Sequence, residues 1–334
     1  MRAKLFNNNL WLGFVLVALC LVPFVSSSKF LLTMLISVFL MAVYSMSYDL
    51  LLGYTGIVSF GHTIFFGLGA YSVGILLSKT KQPNLIWAAI LIAVVGAAVI
   101  ALIIGFLSLR VKDVYFSMIT LAFAQLFFII SEKWSSFTGG GDGIAYVRVP
   151  TFFNDRVKFY FIALAFLAVM YLFLRRVVNS PFGRTLQAIR ENEQRVESLG
   201  YNVLRYKLAS LMISGCVAAM AGGLWTVLQK YVNTNVFAMD RTIDALLMTI
   251  VGGVGTLFGP IVGAGVITFA HEWLSSLSTQ YPFLERWLLF FGILYIVIVM
   301  FFPKGILGTI RDKWRYKGGS RHAASDSKRR ESVL

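Results

Sequence analysis

Six ionisable or strongly polar side chains interrupt otherwise apolar runs: Asp49, His62, Gln125, Asp244, His271 and Glu272. Carboxylates and imidazoles of this kind can ligate metal, relay protons or couple ions. Charge at membrane depth is costly and is retained for a function, or near a helix end where water reaches it. Asp49 and Asp244 fall near expected helix ends, and Asp244 also suits the positive N-terminal pole of its helix. Gln125, in TLAFAQLFFII, sits deepest in an apolar run and is the best candidate to line a pathway. His271-Glu272 opens the stretch HEWLS, which lacks the second histidine that a zinc-protease helix carries four residues on. The sequence offers no Ser-His-Asp or Cys-His set and no Gly-rich phosphate loop ending in Lys-Ser/Thr. Cys20 and Cys216 lie in separate apolar spans, without metal spacing or a disulfide framework. The chain is therefore expected to be no enzyme and to bind no metal or cofactor itself. If ATP drives it, the ATP and its Mg are used by a partner.

The elements that hold these residues are membrane helices. The 334 residues are 58% hydrophobic and only 13% charged, with mean hydropathy +0.76. Apolar runs of roughly 18 or more residues read as spans. About ten can be drawn, near 10–26, 30–52, 57–78, 85–107, 114–130, 158–178, 208–229, 242–257, 259–278 and 283–302. The expected fold is an all-α polytopic transmembrane helical bundle. The N-terminal run superficially suggests a signal peptide, but no clear small-residue cleavage site follows, and it is read as a retained first helix. With the N-terminus cytoplasmic, 20 of the 30 Lys and Arg face inward. This positive-inside bias accounts for the net charge of +15 without nucleic acid. It places both termini in the cytoplasm of a cell-membrane protein. Residues 1–310 form the membrane domain in this reading, and the basic tail 311–334 is too polar to bury a core and is expected to be disordered. The eighth and ninth spans form either two crossings or one re-entrant element.

Two stretches are unusually rich in glycine: Gly53–Ile75 and Val251–Ala270. Glycine costs about 1 kcal/mol against alanine inside a helix, so its use needs a compensating reason. One is close helix packing through small residues, as at Gly255, Gly259 and Gly263. The other is a broken helix that exposes backbone to a water-filled pathway. That pathway reading picks out Gly61, Gly67, Gly69, Gly252, Gly253, Gly255, Gly259 and Pro260, with a break or turn expected at Gly259-Pro260. Phe60-Gly61 with Gly67-Leu68-Gly69 is similar to Phe258-Gly259 with Gly263-Ala264-Gly265. The similarity suggests two inverted five-span halves with broken Gly-rich helices in matching positions.

Between the sixth and seventh spans lies a polar loop, Asn179–Lys207, NSPFGRTLQAIRENEQRVESLGYNVLRYK. Ser180-Pro181 reads as a helix start and Gly200 as its C-terminal stop. Between them, Leu186, Ile189, Val196 and Leu199 make an interrupted apolar stripe, and Glu191 precedes Arg195 by the stabilising four residues. One amphipathic helix on the cytoplasmic face is expected. By physics alone it either anchors the loop or docks a partner.

Four segments in order resemble the LivM-type permeases of branched-chain amino-acid ABC importers. They are YDLLLGYTGIVSFGHTIFFGLGAYSVGIL; LRVKDVYFSMITLAFAQLFF with FTGGGDGI; SPFGRTLQAIRENEQRVESLGYNVLRYKLASLMISGCVAAMAGGL; and DALLMTIVGGVGTLFGPIVGAGV. The resemblance implies that the loop couples to an ATPase through Ala188, Ile189, Arg190, Glu191, Glu197 and Gly200, although the Glu-Ala-Ala triplet of the importer motif is not spelled out. It also implies the partners: a second related permease, two cytoplasmic ABC ATPases and an extracytoplasmic solute-binding protein, all working in or at a lipid membrane. Transport of branched-chain or related small amino acids by alternating access follows from it. A urea or amide permease of the same kind, and an ion-coupled secondary transporter, are the alternatives.

Overall fold

The computed structural model describes residues 17–24, 28–80, 82–111 and 113–280, with isolated helical positions between 289 and 308. The chain is all-helical in these segments, apart from one isolated antiparallel bridge between Ile144 and Val232. Among the described residues, six stretches are long and apolar enough to cross a bilayer: Lys29–Thr55, His62–Thr80, Pro83–Ser108, Val114–Lys133, Arg156–Asn179 and Val203–Gln229. They match the expected second to seventh spans. Of the expected first span, residues 17–24 are helical. The rest of it, most of the tenth span and the tail lie outside the described residues.

The helix α1 (Lys29–Asp49) is the hub. It continues as a π-helical turn, Leu50–Thr55, and from Val38 to Asp49 it is buried on all sides. Ile36, Leu40, Tyr44, Met46 and Tyr48 are fully buried. The helix α2 (His62–Thr80) returns beside it, with Phe66 against Tyr44. The outer helices α3 (Ile86–Ser108), α4 (Asp113–Lys133) and α5 (Arg156–Asn179) are less enclosed. In α3 a small residue recurs every fourth position, at Ala89, Ala93, Ala97, Ala101 and Gly105, and this stripe is the buried face. Leu91, Val95, Val99 and Leu102 face outward. Small residues let backbones approach where the hydrophobic effect cannot drive helices together.

The polar loop folds as two short helices, α6 (Pro181–Glu191) and α7 (Glu193–Ser198). The long helix α8 (Val203–Gln229) then runs parallel to α2. A Cβ added to Gly69 would collide with the Ala219 carbonyl, and one added to Gly222 with the Phe66 carbonyl.

The last described elements are α9 (Met239–Gly252) and α10 (Phe258–Gln280). At 1.5 Å per residue the 14 residues of α9 reach about 21 Å, short of a hydrocarbon core of about 30 Å. Its N-terminal turn lies inside the bundle, where Thr242 Oγ1 accepts from Thr63 N at 3.1 Å. Residues 230–238 make the rest of that crossing, through the 3₁₀ turn Thr234–Phe237, whose Phe237 stacks on Tyr71. The expected eighth span is thus a broken crossing, and its helix stops at Gly252 rather than 257.

Three connections meet at one end of the bundle: the turn after α1, the α6–α7 pair and the turn 253–257 between α9 and α10. The charge bias places all three on one face, together with the α3–α4 connection. The two glycine-rich turns therefore both join a helix running toward this end to one running away from it. Hydrogen bonds fix these directions: Ser45 pairs with Met248 and Thr249, and Asp49 with Gly255. The Phe-Gly similarity between the two stretches accordingly relates elements of the same direction, not inverted ones. An inverted relation exists elsewhere, between α1 followed by α2 and α8 followed by α9. In each pair a long helix is followed by a non-helical descent and a helix that starts inside the bundle. The two inner starts meet at Thr63 and Thr242.

Candidate coupling site

Local chemistry builds the α6–α7 corner. Ser180 caps α6 by accepting from Gly183 N at 3.3 Å, and Pro181 occupies the first helical position, where its missing N–H costs nothing. Gly183, Leu186 and Ile189 face inward. The helix does not run on to Gly200 as expected. Asn192 adopts an extended backbone, and its Oδ1 accepts from Arg195 N at 2.9 Å, so it ends one helix and caps the next. The break places Glu191 and Arg195 on different helices, and the expected pairing between them is replaced by an ion pair of Glu193 with Lys207 at 2.8 Å. It also explains the interrupted stripe: Ile189, Val196 and Val203 share one small apolar cluster, while Leu199 is 70% exposed. Gly200, at φ +86°, ends α7 in a Schellman arrangement, with Tyr201 N donating to Val196 O and Gly200 N to Glu197 O.

Of the expected coupling residues, Ala188, Glu191, Glu197 and Gly200 are exposed on this corner, and Ile189 is buried beneath it. Arg190 is exposed as well, but its guanidinium reaches back to the bundle end. Its Nη1 donates to the Gly53 carbonyl in the π turn. A Cβ on Gly56 would stand 2.9 Å from Arg190 Cγ, and one on Gly255 would stand 3.3 Å from Arg190 Nη1. Behind them, the buried Asp49 carboxylate accepts from Gly255 N at 2.7 Å and from Leu257 N at 3.1 Å. Gly53 and Gly255 touch backbone to backbone: a Cβ on Gly53 would lie 2.7 Å from Gly255 Cα.

The remaining glycines of the expected pathway set are packing contacts in this chain. A Cβ on Gly61 would lie 2.7 Å from the Thr120 carbonyl, and one on Gly67 would enter the Phe237 ring. Gly252 and Gly259 face each other across α9 and α10, with Gly253 at φ +123° ending α9. Pro260 makes no turn. It sits in the first turn of α10, where a missing N–H is tolerated, and the break lies at 253–257.

Gln125 does not point into the chain's own core. It is exposed halfway along α4, on a face shared with Met118, Ala122, Leu126 and Ile129. His62 is fully buried at the start of α2, stacked against Tyr44, with its Nε2 2.8 Å from Ser47 Oγ. Its Nδ1 and the hydroxyls of Tyr44 and Tyr48 are buried and have no hydrogen-bond partner among the described residues. Asp244 and Glu272 are half-buried and His271 is exposed. Sequence reasoning overlooked Tyr44, Ser47, Tyr48 and Thr242. The polar run Tyr44-Ser45-Met46-Ser47-Tyr48-Asp49 at the end of an apolar span was the available signal.

Residues 30–299 match the family described as branched-chain amino acid transport system, permease component. The chain belongs to this family. It is similar to the high-affinity branched-chain amino acid transport system permease protein LivM of Escherichia coli, 26% identical over 81% of this chain and 68% of that protein. It is also similar to the probable LivM of Methanocaldococcus jannaschii, 25% identical over 79% of this chain and 89% of that protein. A probable LivH permease of the same organism is 31% identical over 36% of each chain. No solved structure matches. The protein is a multi-pass membrane permease subunit and not an enzyme.

Proposed function

We propose that this chain is one of two related permeases in an ATP-driven importer of branched-chain or related small amino acids. The observation that carries the reading is the α6–α7 corner. A buried apolar stripe fixes it to the bundle, while Arg184, Ala188, Glu191, Arg195 and Glu197 stand exposed at its surface. An anchor needs the stripe alone; the exposed charged face suits a partner. Two cytoplasmic ATPases, using ATP and Mg, drive α6–α7, and an extracytoplasmic binding protein delivers the substrate at the opposite end. The corner, both termini and the two glycine-rich turns then face the cytoplasm, and the expected first and last spans bring the count to ten. The second permease covers the α4 face. There Gln125, too polar for lipid at the middle of a membrane helix, lines the pathway between the two subunits. Alternating access follows when ATP-driven movement at α6–α7 shifts the equilibrium between inward-open and outward-open bundles.

The test is purification of the chain from membranes with its transport system co-expressed, followed by reconstitution and uptake of labelled leucine. The native chain is expected to bring an ATPase with it and to take up leucine in an ATP-dependent way. Glu191→Arg is expected to lose the ATPase while the chain remains in the membrane. A native chain that transports leucine without any ATPase, on an ion gradient, overturns the reading.

A further inference from the structure

We propose that Arg190 is a positioning residue that fastens α6 to both glycine-rich turns, so that movement of α6 reaches α1, α9 and α10 as one unit. This rests on reading α6–α7 as the ATPase docking corner.

The argument begins with the π turn. At the end of α1 the regular ladder is lost: Gly56 N and Ile57 N both return to the Leu51 carbonyl. The carbonyl end of a long helix carries partial negative charge, and a cation there is stabilised. The Arg190 guanidinium occupies that position and donates to Gly53 O. Its planar fork and stem lie against Gly56 and Gly255, both at positive φ, with no side chain in the way. Asp49 completes the joint from the other side, holding the second turn by the N–H groups of Gly255 and Leu257. The chain of contact therefore runs from α6 through Arg190 to Gly53, on to Gly255 by backbone contact, and to α1 through Asp49. Every link is backbone or a short polar contact, so the joint has little slack. A lysine could supply the charge, but it lacks the fork that spans the two turns.

The experiment uses the full reconstituted importer and reads ATPase co-purification and leucine taken up per ATP hydrolysed. Arg190→Gln is expected to keep the ATPase bound and to lower uptake per ATP about tenfold or more. Arg190→Lys is expected to fall between it and the native chain. Asp49→Asn combined with Arg190→Gln is expected to do little more than Arg190→Gln alone, because both break the same joint. Unchanged uptake per ATP in Arg190→Gln overturns the proposal, as does selective loss of the ATPase, which would put Arg190 on the docking surface. If Arg190→Gln does not fold, Arg190→Lys decides, and native coupling in that variant overturns the proposal. A native complex without an ATPase overturns the importer reading itself, which distinguishes the two failures.

Discussion

The turn after α1 and the turn after α9 are both glycine-rich, lie side by side at one end of the bundle and reverse the chain in the same sense. They are held in opposite ways. The first is gripped from outside, by Arg190 of a surface helix bonding to its carbonyl. The second is gripped from inside, by a fully buried carboxylate accepting its N–H groups. Where they meet, Gly53 and Gly255 leave no room for a side chain. The difference teaches that a run of glycines near a helix end need not mean a flexible or water-lined break. Here it lets two turns and one arginine pack as a joint, with one grip supplied by a surface helix and one by the buried end of α1.

Substitutions can break this comparison at its different points. The largest effect is expected at the shared contact. Gly53→Val places atoms inside the Gly255 backbone, which cannot yield as a flexible side chain would, and costs upward of about 3 kcal/mol. Thermal unfolding in detergent should show a strongly lowered midpoint or no folded protein. Next is Asp49→Ala, which strands two N–H groups at about 1–3 kcal/mol each. Hydrogen exchange should accelerate most at 253–257 in this variant and most at 50–57 in Arg190→Gln. Exchange that rises equally in both turns in both variants would remove the distinction between the two grips. Third, Asn192→Ala removes the cap of α7 and costs about 1 kcal/mol. It should raise exchange in α7 with little change in either turn. The smallest effect is expected at Gly265, where, among the described residues, an added methyl meets only Val38 Cγ1 at 3.9 Å. Gly265→Ala should alter stability by less than about 1 kcal/mol, toward stabilisation, through helix propensity.

The amino-acid sequence by itself determined the six spans from Lys29–Thr55 to Val203–Gln229, because the energy of leaving lipid depends on composition over a window and needs no partner to be read. It also set the ends of the α6–α7 region, since Ser180, Pro181 and Gly200 act through local backbone geometry. The tertiary structure alone decided which way each polar residue turns. Gln125 lies outward, and the guanidinium of the exposed Arg190 turns back to Gly53, because those directions depend on which helices stand beside α4 and α6, and neighbours in sequence carry no record of that. The interruption at Asn192 was hidden for a related reason: asparagine is tolerated within a helix, and only the joint burial of Ile189, Val196 and Val203 makes the kinked path the better one. The glycines were visible as a departure from helical preference. What stands opposite each of them could not be read from the sequence, and for Gly53 that is Gly255, about 200 residues away in the chain.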